Sequence, residues 1–219
     1  MVYRVVPIVT GEMYHVFNRG VEKRDIFLGD KDYRRFIDTL VYYQNSKASP
    51  RFSLRLNKLI HNSNDPEQIK LVDIICFCLM PNHFHLLLKQ RVDEGVANFI
   101  GRVANSYTRY FNTKYRRTGH LFQGPYKVVR IESDEQLLHV SRYIHLNPLV
   151  TNLVKELNMY EWSSYQEYIG VRPRLICNTK YVLGYFPNSD KGGYQKFVLD
   201  QSDYARSLEL IKHLLIVVD

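Results

Sequence analysis

Cysteine is scarce in this chain: three residues in 219, at Cys76, Cys78 and Cys177. An odd number at wide spacing gives neither a disulfide framework nor a zinc signature. Cys76 and Cys78 fall in the apolar run Val72–Leu79 and read as small buried hydrophobes. Long apolar runs are missing too. No segment reaches the roughly 20 residues of a membrane span, so no membrane association is expected. Met1–Thr10 lacks a basic stretch followed by an apolar one, which argues against a signal peptide and for the bacterial cytoplasm. Acidic side chains are outnumbered, 22 Asp+Glu against 30 Lys+Arg, for a net charge of +8. That balance favours a polyanionic partner, nucleic acid first, although a basic protein without such a partner has the same composition. No internal repeat is visible.

What is present is an ordinary globular composition, 45% hydrophobic and 24% charged. The length suits one domain, read here as residues 1–170, with an extension over 171–219 packed on it. Seventeen tyrosines are interleaved with Arg and Lys. Some could stack on unpaired bases, but most read as packing residues. Tyr14–Asn18 is a β-rich run, and Asp30 caps a helix through Asp32–Gln44. Asn45–Asp65 is a polar excursion. Leu71–Leu79 and His83–Lys89 are strands joined by the turn Met80-Pro81-Asn82. A long helix runs from Asp93 or Glu94 towards Tyr115, and Tyr126–Ile131 is a further strand. Ser133-Asp134-Glu135-Gln136 has the form of a capping box, opening a helix that Pro148 stops near Leu146. The order strand, helix, strand, strand, helix, strand matches the split βαβ, ferredoxin-like plan: an α+β fold with an antiparallel sheet and helices on one face. Beyond Pro148 the chain is mixed and ends in the apolar segment Leu208–Val218.

Two patterns carry chemistry. In Asn82-His83-Phe84-His85-Leu86, strand alternation puts His83 and His85 on one face. Their Cα atoms are then about 6.6 Å apart, close enough for both rings to reach one ion. The plainer alternative is one histidine at a strand end and one hydrogen-bonded in the core. Tyr143 and Asn147 are four apart on a predicted helix, about 400° of rotation, so they share a face. Tyr143 could equally be a packing tyrosine, and Asn147 a helix-terminal residue before proline. Were this helix to pack beside the histidine strand, His83, His85 and Asn147 would form a three-ligand site with Tyr143 beside it.

Four segments carry a resemblance: Tyr14-His15-Val16-Phe17-Asn18-Arg19-Gly20, Met80 to Leu86, Gly119-His120-Leu121-Phe122-Gln123-Gly124-Pro125-Tyr126, and Tyr143-Ile144-His145-Leu146-Asn147-Pro148. In this order the chain resembles the single-tyrosine HUH transposases of the IS200/IS605 type, and among them the REP-associated tyrosine transposase branch. The resemblance covers roughly residues 10 to 170. It implies a divalent metal-dependent endonuclease (Mg²⁺ or Mn²⁺) that nicks and rejoins single-stranded DNA, often at hairpins. Tyr143 matches the nucleophile, which forms a 5′-phosphotyrosine link. His83 and His85 match the HUH pair, and Asn147 the third ligand. Dimers occur in the wider family, so a homodimer is a further expectation. The segment 45–70 and the tail beyond about Gly170 depart from compact family members. They leave open a protein that binds hairpin DNA but has lost transposition.

The residue types suit that chemistry. A phenol with a pKa near 10 is a poor nucleophile at neutral pH without assistance. A divalent ion beside a phosphate offsets developing charge, and mixed N/O ligation admits Mg²⁺ or Mn²⁺ as well as Zn²⁺. Tyr107, Tyr110, Tyr115 and Tyr126 are rival nucleophiles on chemistry alone. For DNA contact the candidates are Arg102, Arg109, Lys114, Arg116 and Arg117 along the long helix and its end, with Arg19 and Arg142. A solvated basic face is the alternative reading of the same set. An RNA-binding module on the same sheet is a more distant reading.

Overall fold

The computed structural model describes residues 7–49, 52, 69–187 and 190–200. Its strands are β1 (Met13–Arg19), β2 (Val72–Met80), β3 (His83–Gln90) and β4 (Lys127–Ile131). Its helices are α1 (Asp30–Tyr43), α2 (Gly95–Lys114), α3 (Asp134–Val150), α4 (Tyr165–Tyr168), α5 (Lys180–Leu183) and α6 (Lys191–Leu199). The strands hydrogen-bond in the order β2-β3-β1-β4. This is an antiparallel four-stranded sheet in an α+β fold, as the pattern of elements predicts. Of the described residues, those within 7–73, 81–84 and 88–130 make one compact unit, and those within 74–80, 85–87 and 131–200 a second. Residues on both sides of position 170 therefore belong to the second unit.

The first unit is built on aromatic packing. Phe36 of α1 meets Phe84 at 5.2 Å and Tyr107 of α2 at 5.0 Å between ring centroids. Apolar residues recur at helical spacing on both helices, which buries Phe36, Ile37 and Leu40 on α1 and Phe99, Ile100 and Val103 on α2. Asp32 is buried at the start of α1 and accepts from Lys114 (2.5 Å), Tyr115 (2.7 Å), Tyr110 (2.9 Å) and the Leu28 amide (2.9 Å). The polar excursion after α1 is closed at its base, where Asn45 bridges Lys70 and Leu71 N–H donates to the Gln44 carbonyl. Residues 50–51 and 53–65 of it, and the apolar segment Leu208–Val218, lie outside the described residues.

Every residue of β2 is buried, and residues 74–80 of it belong to the second unit. A sheet-edge strand exposes unpaired backbone groups, and here later chain covers them. Leu79 N–H donates to Trp162 O, Ser164 N–H to Phe77 O and Asn178 N–H to Ile74 O. The hydroxyls of Tyr160 and Tyr168 donate to Leu79 O and Ile75 O. Helix α3 opens as its capping box predicts, Ser133 Oγ accepting from Gln136 N–H at 3.1 Å. Its end differs from expectation. Proline at 148 lies inside the helix, which continues to Val150. Proline removes one N–H donor, but Thr151 N–H and Oγ1–H both donate to the Asn147 carbonyl and close the last turn.

Candidate active site

The site is built from β3 upwards. Strand alternation sends Phe84 to one side, where its ring also meets Phe122 at 5.8 Å, and the two flanking histidines to the other. His85 is buried, and its ring stands edge-on to that of Tyr143, with centroids 5.4 Å apart and planes at 79°. Tyr143 itself is half-buried. One turn along α3, Asn147 is buried and its Nδ2 donates to the Tyr143 carbonyl at 2.8 Å. The nitrogen end of the carboxamide is thereby committed to the helix backbone, and Oδ1 is the atom left to act as a ligand. His85, Tyr143 and Asn147 lie in one unit, linked by the ring contact and by the Asn147 hydrogen bond.

His83 is half-buried and has a partner that the sequence reading missed. Its Nδ1 lies 2.6 Å from Asn82 Oδ1, and Asn82 Nδ2 donates to the Lys23 carbonyl. A carboxamide oxygen only accepts, so the proton sits on His83 Nδ1 and Nε2 carries the lone pair. Asn82, read from the sequence as turn punctuation alone, orients the imidazole as outer partners of metal-binding histidines do. The available signal was an acceptor side chain immediately before the first histidine.

Three of the four motif segments meet at one corner of the first unit. Gly20 N–H donates to Asn82 O, Gly20 pairs with Phe122, and the Ile26 and Phe27 amides both donate to Pro81 O. Gly20 has no room for a side chain, since a Cβ there would stand 2.2 Å from the Arg24 carbonyl oxygen. The segment Gly119–Tyr126 also lines a groove of about 590 Å³ with Asn18 and the Ile100, Gly101, Ala104 and Thr108 face of α2.

Three of the four rival tyrosines have other employment. Tyr107 is buried and donates to Ile26 O at 2.5 Å, and burial drives its pKa well up. Burial, followed by the hydrogen bond to Asp32, raises Tyr110 and Tyr115. Among the basic candidates, Arg109 and Arg116 are exposed. Arg19 Nε donates to Gln123 Oε1, Arg102 holds Ser46 O, and Arg117 ties Asn112 Oδ1 to His120 O. Lys114 is paired with Asp32. Arg142 is buried, 2.7 Å from His139 Nδ1 and stacked over the Phe197 ring at 4.4 Å. Its surroundings are those of a packing residue.

The profile of the family described as transposase, IS200-like, matches residues 13–147. The chain belongs to the IS200-like transposase family. Its fold is similar to that of a REP-associated tyrosine transposase solved with a REP hairpin, with a TM-score of 0.56 at 13% identity over 82% of this chain and 89% of that one. A candidate transposase from Deinococcus radiodurans R1 gives a TM-score of 0.38 at 15% identity, over 65% of this chain and 95% of that one, too slight a likeness to bear on the fold. No curated protein matches the sequence. Within the described residues of this transposase no helix is long and apolar enough to cross a membrane. No three His, Cys, Asp or Glu residues among them cluster to hold a metal ion.

Proposed function

We propose that this transposase is a DNA strand transferase that cleaves and rejoins single-stranded hairpin DNA through a covalent bond to Tyr143. The observation that carries this reading is the edge-on contact of His85 with Tyr143, with Asn147 tied to the tyrosine's own carbonyl. His83, His85 and Asn147 are the residues that would hold a divalent ion, Mg²⁺ or Mn²⁺. When bound, that ion draws charge from the phosphate oxygens. The Tyr143 hydroxyl attacks the phosphorus. The Tyr143 O–P bond forms as the P–O3′ bond breaks; the phenol proton leaves to water, and the departing 3′ oxygen takes up a proton. The link conserves the phosphodiester, so the 3′ hydroxyl can reverse the step without ATP.

The surrounding residues do the positioning. The His85 edge fixes the plane of the Tyr143 ring, and Asn82 fixes that of His83. The groove between α2 and Gly119–Tyr126 takes bases of the bound strand, with Arg109 and Arg116 as exposed cations for its phosphates.

The test is incubation with single-stranded hairpin DNA from the flanks of the gene, with Mn²⁺ or Mg²⁺, beside Tyr143→Phe. A covalent protein–DNA band is expected that vanishes in the variant and on adding a chelator. Hairpin binding without any adduct would leave a DNA-binding protein and sink the strand-transfer reading. An adduct that persists in Tyr143→Phe would move the nucleophile elsewhere.

A further inference from the structure

Helix α3 carries a third polar residue in the segment that holds the proposed nucleophile, and the reaction does not use it. His145 lies two residues from both Tyr143 and Asn147, about 200° round the helix from each. It is fully buried and makes two hydrogen bonds. Its Nδ1 is 2.7 Å from the Tyr194 hydroxyl on α6, and its Nε2 is 2.8 Å from Ser164 Oγ. Ser164 accepts from Phe77 N–H at 2.8 Å and donates to the Phe77 carbonyl at 3.1 Å. Its one proton is thus spent on β2, so Ser164 accepts from His145 Nε2–H. The Tyr194 hydroxyl lies between two acceptors of α3, His145 Nδ1 and, at 3.2 Å, Ser141 Oγ. The rings of Tyr168 and Tyr194 pack edgewise on the imidazole, at 4.8 and 5.8 Å. The chain of bonds runs from α6 through α3 to the backbone of β2 without a missing partner.

We propose that His145, Ser164 and Tyr194 are positioning residues: they lock the rotation of α3 about its axis and so set where Tyr143 points. The inference rests on the reading of Tyr143 as the nucleophile. A helix held by packing alone can turn or slide by small amounts. Two bonds, one to Ser164 and through it to β2, the other to Tyr194 of α6, remove that freedom at the turn that carries Tyr143 and Asn147. A tyrosine oxygen reaches well beyond the Cα radius of about 2.3 Å, so a turn of about 10° sweeps it by roughly 1 Å or more. A displacement of that size can cost on the order of 100-fold in rate. The part of the chain beyond residue 170 then belongs to the catalytic apparatus through Tyr194, although it touches no reacting atom.

The test uses the full chain with Tyr194→Phe and Ser164→Ala, each removing one end of the lock, and Tyr160→Phe as a matched control. Tyr160 also loses a buried hydroxyl bond to β2, the one to Leu79 O at 2.6 Å, but it does not touch His145 nitrogen. Three readouts are taken: the single-turnover rate of adduct formation with Mn²⁺, the affinity for the hairpin, and the fluorine resonance of 3-fluorotyrosine placed at position 143. In Tyr194→Phe and Ser164→Ala the rate is expected to fall about tenfold or more, with hairpin affinity unchanged and the resonance shifted or broadened. Tyr160→Phe is expected to lower the melting temperature while leaving rate and resonance alone. Wild-type rate and resonance in both lock variants would overturn the inference, as would an equal loss of rate in Tyr160→Phe. If the wild-type protein forms no adduct, the strand-transfer reading fails, and the fluorine resonance then decides the positioning claim by itself.

Discussion

Replacing Asp32 with alanine removes a carboxylate on which four donors converge. Burial alone would raise its pKa. The Lys114 ammonium, the Tyr115 hydroxyl, the Leu28 amide and the Tyr110 hydroxyl outweigh that and hold it below the usual 3.8. Breaking a buried ion pair by removing one partner costs about 3–5 kcal/mol. Lys114 keeps 31% of its side chain exposed and can return to water, so the expected loss is at the lower end, about 3 kcal/mol. For a chain of this length that is a fall of roughly 6–12 °C in melting temperature. The pH dependence has a definite sign. A folded-state pKa below the unfolded value gives stability that is present above pH 3.8 and lost as pH falls through the folded value. Urea unfolding of wild type and Asp32→Ala is therefore expected to give a constant gap from pH 7 to 5 that narrows only below about 3.8. A gap under about 1 kcal/mol at pH 7, or one that closes between pH 6 and 5, would refute the reasoning.

Three further outcomes are expected. Gly101→Leu projects into the groove beside α2, where a Cβ meets no atom within 4 Å. It also removes a helical glycine, so stability should hold or rise by up to about 1 kcal/mol while hairpin affinity falls; unchanged affinity would exclude the groove as a DNA site. Gly20→Ala forces a Cβ against the Arg24 carbonyl oxygen and should destabilise by about 1–3 kcal/mol, read from chemical denaturation. Arg109→Ala should reduce the slope of log affinity against log salt by about 0.7, whereas Lys114→Ala should leave that slope alone and lower stability, because its charge is already met by Asp32.

The sequence by itself determined the elements. The apolar run of Leu71–Leu79, the strand pattern of His83–Lys89, the 3.6-residue spacing of Val96, Phe99, Ile100 and Val103, and the Ser133 cap are local signals, and each of these elements lies within a few residues of its expected place. The ferredoxin-like order followed from them, and so did the candidate site residues, because motif spacing and family resemblance are properties of the chain. The end of α3 was misjudged for a physical reason. Proline before a helix end usually stops it, but at 148 the loss is one N–H, and the Asn147 carbonyl is met by both donors of Thr151. Tertiary structure alone decided which equal-looking side chains are spent. Lys114 and Arg109 are both basic residues of α2, yet one is bound to a buried carboxylate and the other is exposed. Ser164 and Tyr194 drew no notice as site residues because their partners lie 19 to 87 positions away along the chain. Local patterning fixes which way a side chain faces on its own element, while a hydrogen-bond partner depends on which distant segment the packing brings within 3 Å.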